Sequence, residues 1–205
     1  MIERLTAKNG SIVLRCQGRL LASAVDPQNE AREWIARRKL FLDNVKTVFV
    51  LGIGAGYHVA ELIESTKAAI VVIDDNEELQ KATQEIHQFD PMRVRWEWVE
   101  KARDLRSRSQ VKSAVSQSFV VLEHAPSTAL SAEFFKESRD LLLGREWGAL
   151  HWQWQLKGFP PLETTPSIQA ADSALTIYDL EMTELVQNSE ERERMLVKAL
   201  RELVK

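Results

Sequence analysis

From Val48 to His58 the chain reads Val-Phe-Val-Leu-Gly-Ile-Gly-Ala-Gly-Tyr-His, a run of strand-forming apolar residues that breaks into glycine at every second position. Such a run predicts a buried strand, a tight turn and the start of a helix, the place where open α/β sheets hold nucleotide-like ligands. Glycine suits that turn because positive φ and close backbone approach cost least without a Cβ. Gly52, Gly54 and Gly56 are therefore candidate ligand-binding positions. A dinucleotide fingerprint would place its third glycine at position 57, where Tyr57 stands, and no Gly-Lys-Ser or Gly-Lys-Thr follows to make a Walker-type P-loop.

The flanking segments extend the same pattern. Residues 47–51 and 69–73 are continuously apolar, as central parallel strands covered on both faces should be. Val59, Leu62 and Ile63 then make one helical stripe and Leu79, Ala82 and Ile86 the next, so strand and helix alternate and a parallel sheet follows. Val94, Trp96 and Trp98 alternate with Arg95 and Glu97 as a third strand with one less-buried face, and residues 118–122 read as a fourth, central strand. A helix is expected over residues 100–116 and another over 131–143, with Ser131 as N-cap and Gly144 past its end. Leu150, Trp152, Trp154 and Leu156 alternate with polar residues, which predicts a late strand at the sheet edge.

Upstream, residues 11–16 and 19–22 flank Gln17-Gly18 and suggest a β-hairpin, while Asp26-Pro27 reads as an N-cap and first helical residue. The helix it opens carries Ala31, Trp34, Ile35 and Leu42 on one face. Gly158-Phe159-Pro160-Pro161 marks a boundary, beyond which residues 168–186 and 190–204 look helical. The expected fold class is α/β: a Rossmann-like, methyltransferase-like, doubly wound and mainly parallel sheet over 26–158, with a hairpin extension at 1–25. The helical segment 159–205 either packs on that sheet or mediates homodimerisation or contact with another protein.

A formal net charge of −3, with both signs dispersed, provides no basic stripe for nucleic acid. Cys16 is the single cysteine, no apolar run reaches the ~20 residues of a membrane span, and the N-terminus lacks a signal-peptide pattern, so a cytoplasmic protein without membrane contact is expected.

Asp74 follows the second strand 22 residues after Gly52, close to the ~20 at which an acid contacts ribose hydroxyls in nucleotide-binding sheets. Asp75 is adjacent and could take its place. Tyr57 and His58 open the helix after the glycine turn, where backbone N–H groups favour an anion, and Glu123 and His124 follow the fourth strand as a candidate second wall. The four histidines are scattered without ligand spacing, so no metal is expected, and the six tryptophans fall mostly at core-phase positions.

The glycine spacing resembles the G-x-G-x-G turn of S-adenosylmethionine-dependent methyltransferases, although Val50 stands where many of those enzymes carry an acid. A more specific likeness joins Ser-Ala-Val-Asp-Pro-Gln-Asn-Glu-Ala from Ser23, the stretch from Phe49 to His58, Val-Val-Ile-Asp from Val71, Phe-Val-Val-Leu-Glu-His-Ala-Pro from Phe119, and Phe134-Phe135. Together these resemble the N-terminal Rossmann-like domain of the motility accessory factor family, associated with flagellin glycosylation by nonulosonic acids. The resemblance covers roughly residues 10–144; the family's larger central domain, the presumed transferase, has no counterpart here.

What it implies is a nucleotide- or nucleotide-sugar-binding accessory protein whose partner is a nucleoside-containing small molecule. The alternatives are a divergent S-adenosylmethionine-dependent methyltransferase using the same residues, and a degenerate fold kept for protein interaction.

Overall fold

A computed structural model of the chain describes residues 2–159; the two C-terminal helices and the association element expected beyond residue 159 lie outside them. An antiparallel sheet comes first: β1 (Ile2–Thr6), β2 (Ile12–Cys16) and β3 (Arg19–Leu20), in that spatial order. The hairpin forms where Gln17-Gly18 predicts it, because both residues adopt positive φ, 49° and 76°, and Cys16 pairs with Arg19 across them. β1, for which the sequence offered no clear signal, pairs along its full length with β2.

Next comes α1 (Pro27–Ala36), capped as expected by Asp26, whose carboxylate accepts the Asn29 N–H at 3.0 Å. The helix ends six residues before Leu42, which instead belongs to a short α2 (Lys39–Leu42). The body then alternates: β4 (Thr47–Leu51), α3 (Tyr57–Ser65), β5 (Ala69–Asp74), α4 (Glu77–Ile86), β6 (Val94–Trp98), a 3-10 turn at Ala102–Ser107, α5 (Ser109–Val115) and β7 (Phe119–Glu123). After β7 come α6 (Ala125–Thr128), α7 (Ala132–Leu142) and α8 (Trp147–Leu156).

All four strands of the main sheet are parallel and lie in the order β6-β5-β4-β7. Taken in chain order within that sheet, this is the 3-2-1-4 arrangement of a doubly wound Rossmann-like fold. The apolar runs of β4 and β5 are continuous because their alternate residues enter different cores. Val48, Val50, Ile70 and Val72 pack with the hairpin, α1, α3 and α4. Phe49, Leu51, Val71 and Ile73 pack with α5, α7, α8 and the 3-10 turn. Full burial of a side chain such as Phe49 or Leu51 is worth about 1.5–3 kcal/mol each, so the central strand anchors both layers.

Several expectations are corrected. The alternating stretch around Trp152 is not an edge strand but α8, whose Ala149, Trp152 and Leu156 share the helical stripe that meets the second core. β7 is an edge strand rather than a central one within the described sheet. The helix expected over 100–116 is divided, because Arg108 takes an extended conformation between the 3-10 turn and α5. Ser131 precedes α7, but its side chain makes no capping bond. In β6 the alternation of Val94, Trp96 and Trp98 does not mark the buried face: Val94 and Glu97 are buried, and the tryptophans only half so.

Candidate functional site

The turn between β4 and α3 has the backbone its glycines predict, with φ of 88° at Gly52, 55° at Gly54 and 83° at Gly56. What surrounds it is protein. A Cβ on Gly52 would lie 2.5 Å from Ser127 Cβ, and one on Gly54 would lie 2.5 Å from His124 Cε1. At Gly56 it would meet His87 and Thr83, each at 2.7 Å. The absent side chains thus make room for rings and hydroxyls from α4 and the segment after β7. Polar groups of the turn are also engaged internally: Thr83 Oγ1 donates to the Gly54 carbonyl at 2.9 Å and the Gly52 N–H to the Ile73 carbonyl at 2.9 Å.

Asp74 stands at the end of β5, as its spacing predicts, but it is buried and accepts the N–H groups of Ile53 at 2.8 Å and Asn76 at 3.0 Å. Burial raises its pKa to about 7 against the opposing pull of these donors. Its carboxylate therefore organises the turn from within. Asp75 is half-buried, and its carbonyl accepts the Trp98 indole N–H at 3.1 Å.

Tyr57 and His58 face inward at the start of α3. The Tyr57 hydroxyl donates to the Ile12 carbonyl at 2.7 Å, tying the hairpin to the turn. His58 Nε2 lies 3.1 Å from the Gly52 carbonyl, an acceptor, so Nε2 carries the proton and Nδ1 the lone pair of the neutral ring. Its imidazole stacks on that of His124, with planes 1° apart and centroids at 4.1 Å. His124 Nδ1 is 2.7 Å from Ser127 Oγ. Burial lowers the His58 pKa to about 4, and burial together with His58 and Arg38 depresses that of His124, so both rings are neutral near pH 7.

This pair forms part of the wall of a cleft of about 500 Å³ between α1–α2 and the carboxyl ends of β4 and β7. The cleft is also lined by Leu21, Ala31, Trp34, Arg38, Phe41 and Pro126. Of the residues singled out from the sequence, the structure brings Tyr57, His58 and His124 to it. Glu123 belongs to the other face of the sheet, where Arg139 of α7 holds it at 3.1 Å. Trp34, Arg37 and Arg38 were not anticipated as site residues; the signal available was a double arginine directly after the apolar stripe of α1. Among the described residues no group of three or more His, Cys, Asp or Glu side chains is placed to hold a metal ion, and no helix is long and apolar enough to cross a membrane.

No curated protein matches the chain. Among solved structures, a spermidine synthase in complex with the transition-state analogue AdoDATO is similar at 12% identity and a TM-score of 0.48, over 77% of this chain. The chain spans 60% of the length of that protein. Residues 6–84, which carry the hairpin, α1, the glycine turn and Asp74, match the family described as the glycosyltransferase Maf N-terminal domain, and over that segment the chain resembles the N-terminal domain of the motility accessory factors.

Proposed function

We propose that this chain is a nucleotide- or nucleotide-sugar-binding accessory domain of surface or flagellar glycosylation. The observation that carries the reading is the position of the cleft. β5 and β6 extend the sheet to one side of β4 and β7 to the other, so the chain reverses its winding between β4 and β7. Ligands of open α/β sheets collect outside the strand ends at such a point, and a cleft of this size is in the range of small-molecule sites. The family match supports the glycosylation context.

On this reading the ligand lies on the α1 side of His58 and His124. Gly52, Gly54, Gly56 and Asp74 shape the wall from behind without touching it. A methyltransferase-like mode, in which the cofactor lies on the glycines and the acid after the second strand, is disfavoured because His124, His87 and Thr83 fill that space and backbone N–H groups occupy Asp74.

Calorimetric titration of the chain with CMP-sugars, S-adenosylmethionine and S-adenosylhomocysteine tests the proposal. Binding of a nucleotide-sugar is expected. Tight binding of S-adenosylmethionine that disappears in Asp74→Ala would reverse the assignment in favour of an enzyme. Exposed Leu40 and Phe41 on α2 favour a second reading, a protein-interaction module, which silence toward all three ligand classes would support.

A further inference from the structure

The α1–α2 wall of the cleft carries a cation that the described chain does not neutralise. Arg38 is half-buried, its Nη1 donates to the Trp34 carbonyl at 2.8 Å, and its guanidinium carbon lies 4.2 Å from the Trp34 ring centroid. No carboxylate among the described residues lies within ion-pair distance of it. Glu30, the acid lining the same cleft, is engaged by the Ser23 N–H at 2.6 Å. Arg37 adds a second positive charge, its partner being the exposed Glu33 at 3.6 Å. Burial and the Arg37 charge both lower the Arg38 pKa, so holding this cation has a cost that an incoming anion would relieve.

Both histidines lining the cleft are neutral and add no charge to that of the arginines. His58 adds a different requirement. With Nε2 committed to the Gly52 carbonyl, Nδ1 of the neutral ring is an acceptor, and a ligand hydroxyl is a donor suited to it.

We infer that the cleft takes a hydroxylated carrier bearing an oxyanion, with the oxyanion at Arg38 and Arg37 and a hydroxyl donating to His58 Nδ1. This rests on reading the cleft as the ligand site, but not on a nucleotide being the ligand. A phosphate monoester and a sugar carboxylate present the same chemistry. Planar guanidinium can bind either in a forked, charge-assisted manner.

Titration of the full chain with glucose 1-phosphate, glucuronate, glucose and CMP tests it. One or both charged sugars should bind at least about ten-fold more tightly than glucose, weaken with added salt, and lose that advantage in Arg38→Gln, while Arg38→Lys keeps part of it. The tighter of the two charged sugars identifies the oxyanion. Circular dichroism should show that Arg38→Gln folds, with a small shift in melting because the Arg38 guanidinium engages Trp34 of its own segment. Equal binding of glucose and the charged sugars, unchanged binding by a folded Arg38→Gln, or no binding by either charged sugar would overturn the inference. If the charged sugars bind through Arg38 while CMP and CMP-sugars do not, the inference stands and the nucleotide reading falls. CMP binding that is indifferent to Arg38→Gln would keep the nucleotide reading and overturn the inference.

Discussion

The Asp74 carboxylate accepts the Ile53 backbone N–H at 2.8 Å inside the protein, so the acid after β5 is bound to the glycine turn itself. Its ionisation is then a property of the fold. Unfolded, the group loses its proton near its ordinary value of 3.8; folded, at about 7. Between those values the folded chain holds a proton that the unfolded chain has released, so this contribution is complete in acid and is lost as pH rises from about 4 to about 7, by ~1.4 kcal/mol per pH unit. Asp74→Asn removes the loss. Urea denaturation from about pH 4.5 to 7.5 should show the variant gaining on the parent as pH rises. A difference independent of pH would contradict the assignment.

His58 works in the opposite direction. Its folded pKa is lowered from 6.5 to about 4, so the stability it confers is present above pH 6.5 and disappears as pH falls toward 4. His124 has the same sign. Proton NMR of the imidazole Cε1–H signals should find His58 neutral down to about pH 4. A midpoint near its ordinary value would mean that the ring is hydrated.

Gly54→Ala should destabilise the chain by roughly 3 kcal/mol, since it combines an unfavourable positive φ with overpacking. The added methyl would meet the His124 ring. The double variant with His124→Ala should recover part of that loss in a thermodynamic cycle. Strict additivity would show that the two residues do not interlock.

Glu123→Gln breaks the pairing with Arg139 on the sheet face away from the cleft. A partly exposed pair of this kind is worth under ~1 kcal/mol, so a small shift in denaturation midpoint is expected. Affinity for any cleft ligand should not change. A clear loss of affinity would return Glu123 to the site.

How much of this was legible depends on which interactions set each element. β4 and β5 could be read directly because residues such as Phe49 and Val50 serve two cores at once, leaving no polar positions to confuse the period. The Asp26 cap and the Gln17-Gly18 turn are local and equally readable. α8 is ambiguous in the sequence because Leu150, Trp152, Trp154 and Leu156 satisfy a two-residue period, while the stripe Ala149-Trp152-Leu156 satisfies the helical one. Tertiary packing against the second core decides between them, with Gln153 Nε2 donating to the Leu141 and Leu142 carbonyls at 2.8 and 2.7 Å. The turn's backbone was in its letters, but its occupants came from residues about thirty to seventy positions downstream, Thr83, His87, His124 and Ser127. No local pattern announces such a contact. Arg38 escaped for a related reason, since no acid among the described residues pairs with it, which no local pattern reveals.

The rings and hydroxyl packed against Gly52, Gly54 and Gly56 also bear on engineering. Converting this scaffold to hold a cofactor on its glycines would mean carving away Thr83, His87 and His124 and replacing the lost packing elsewhere, whereas on the α1 side Arg37 and Phe41 are exposed and Arg38 is half-buried. A designer would leave the glycines alone and work on the opposite wall.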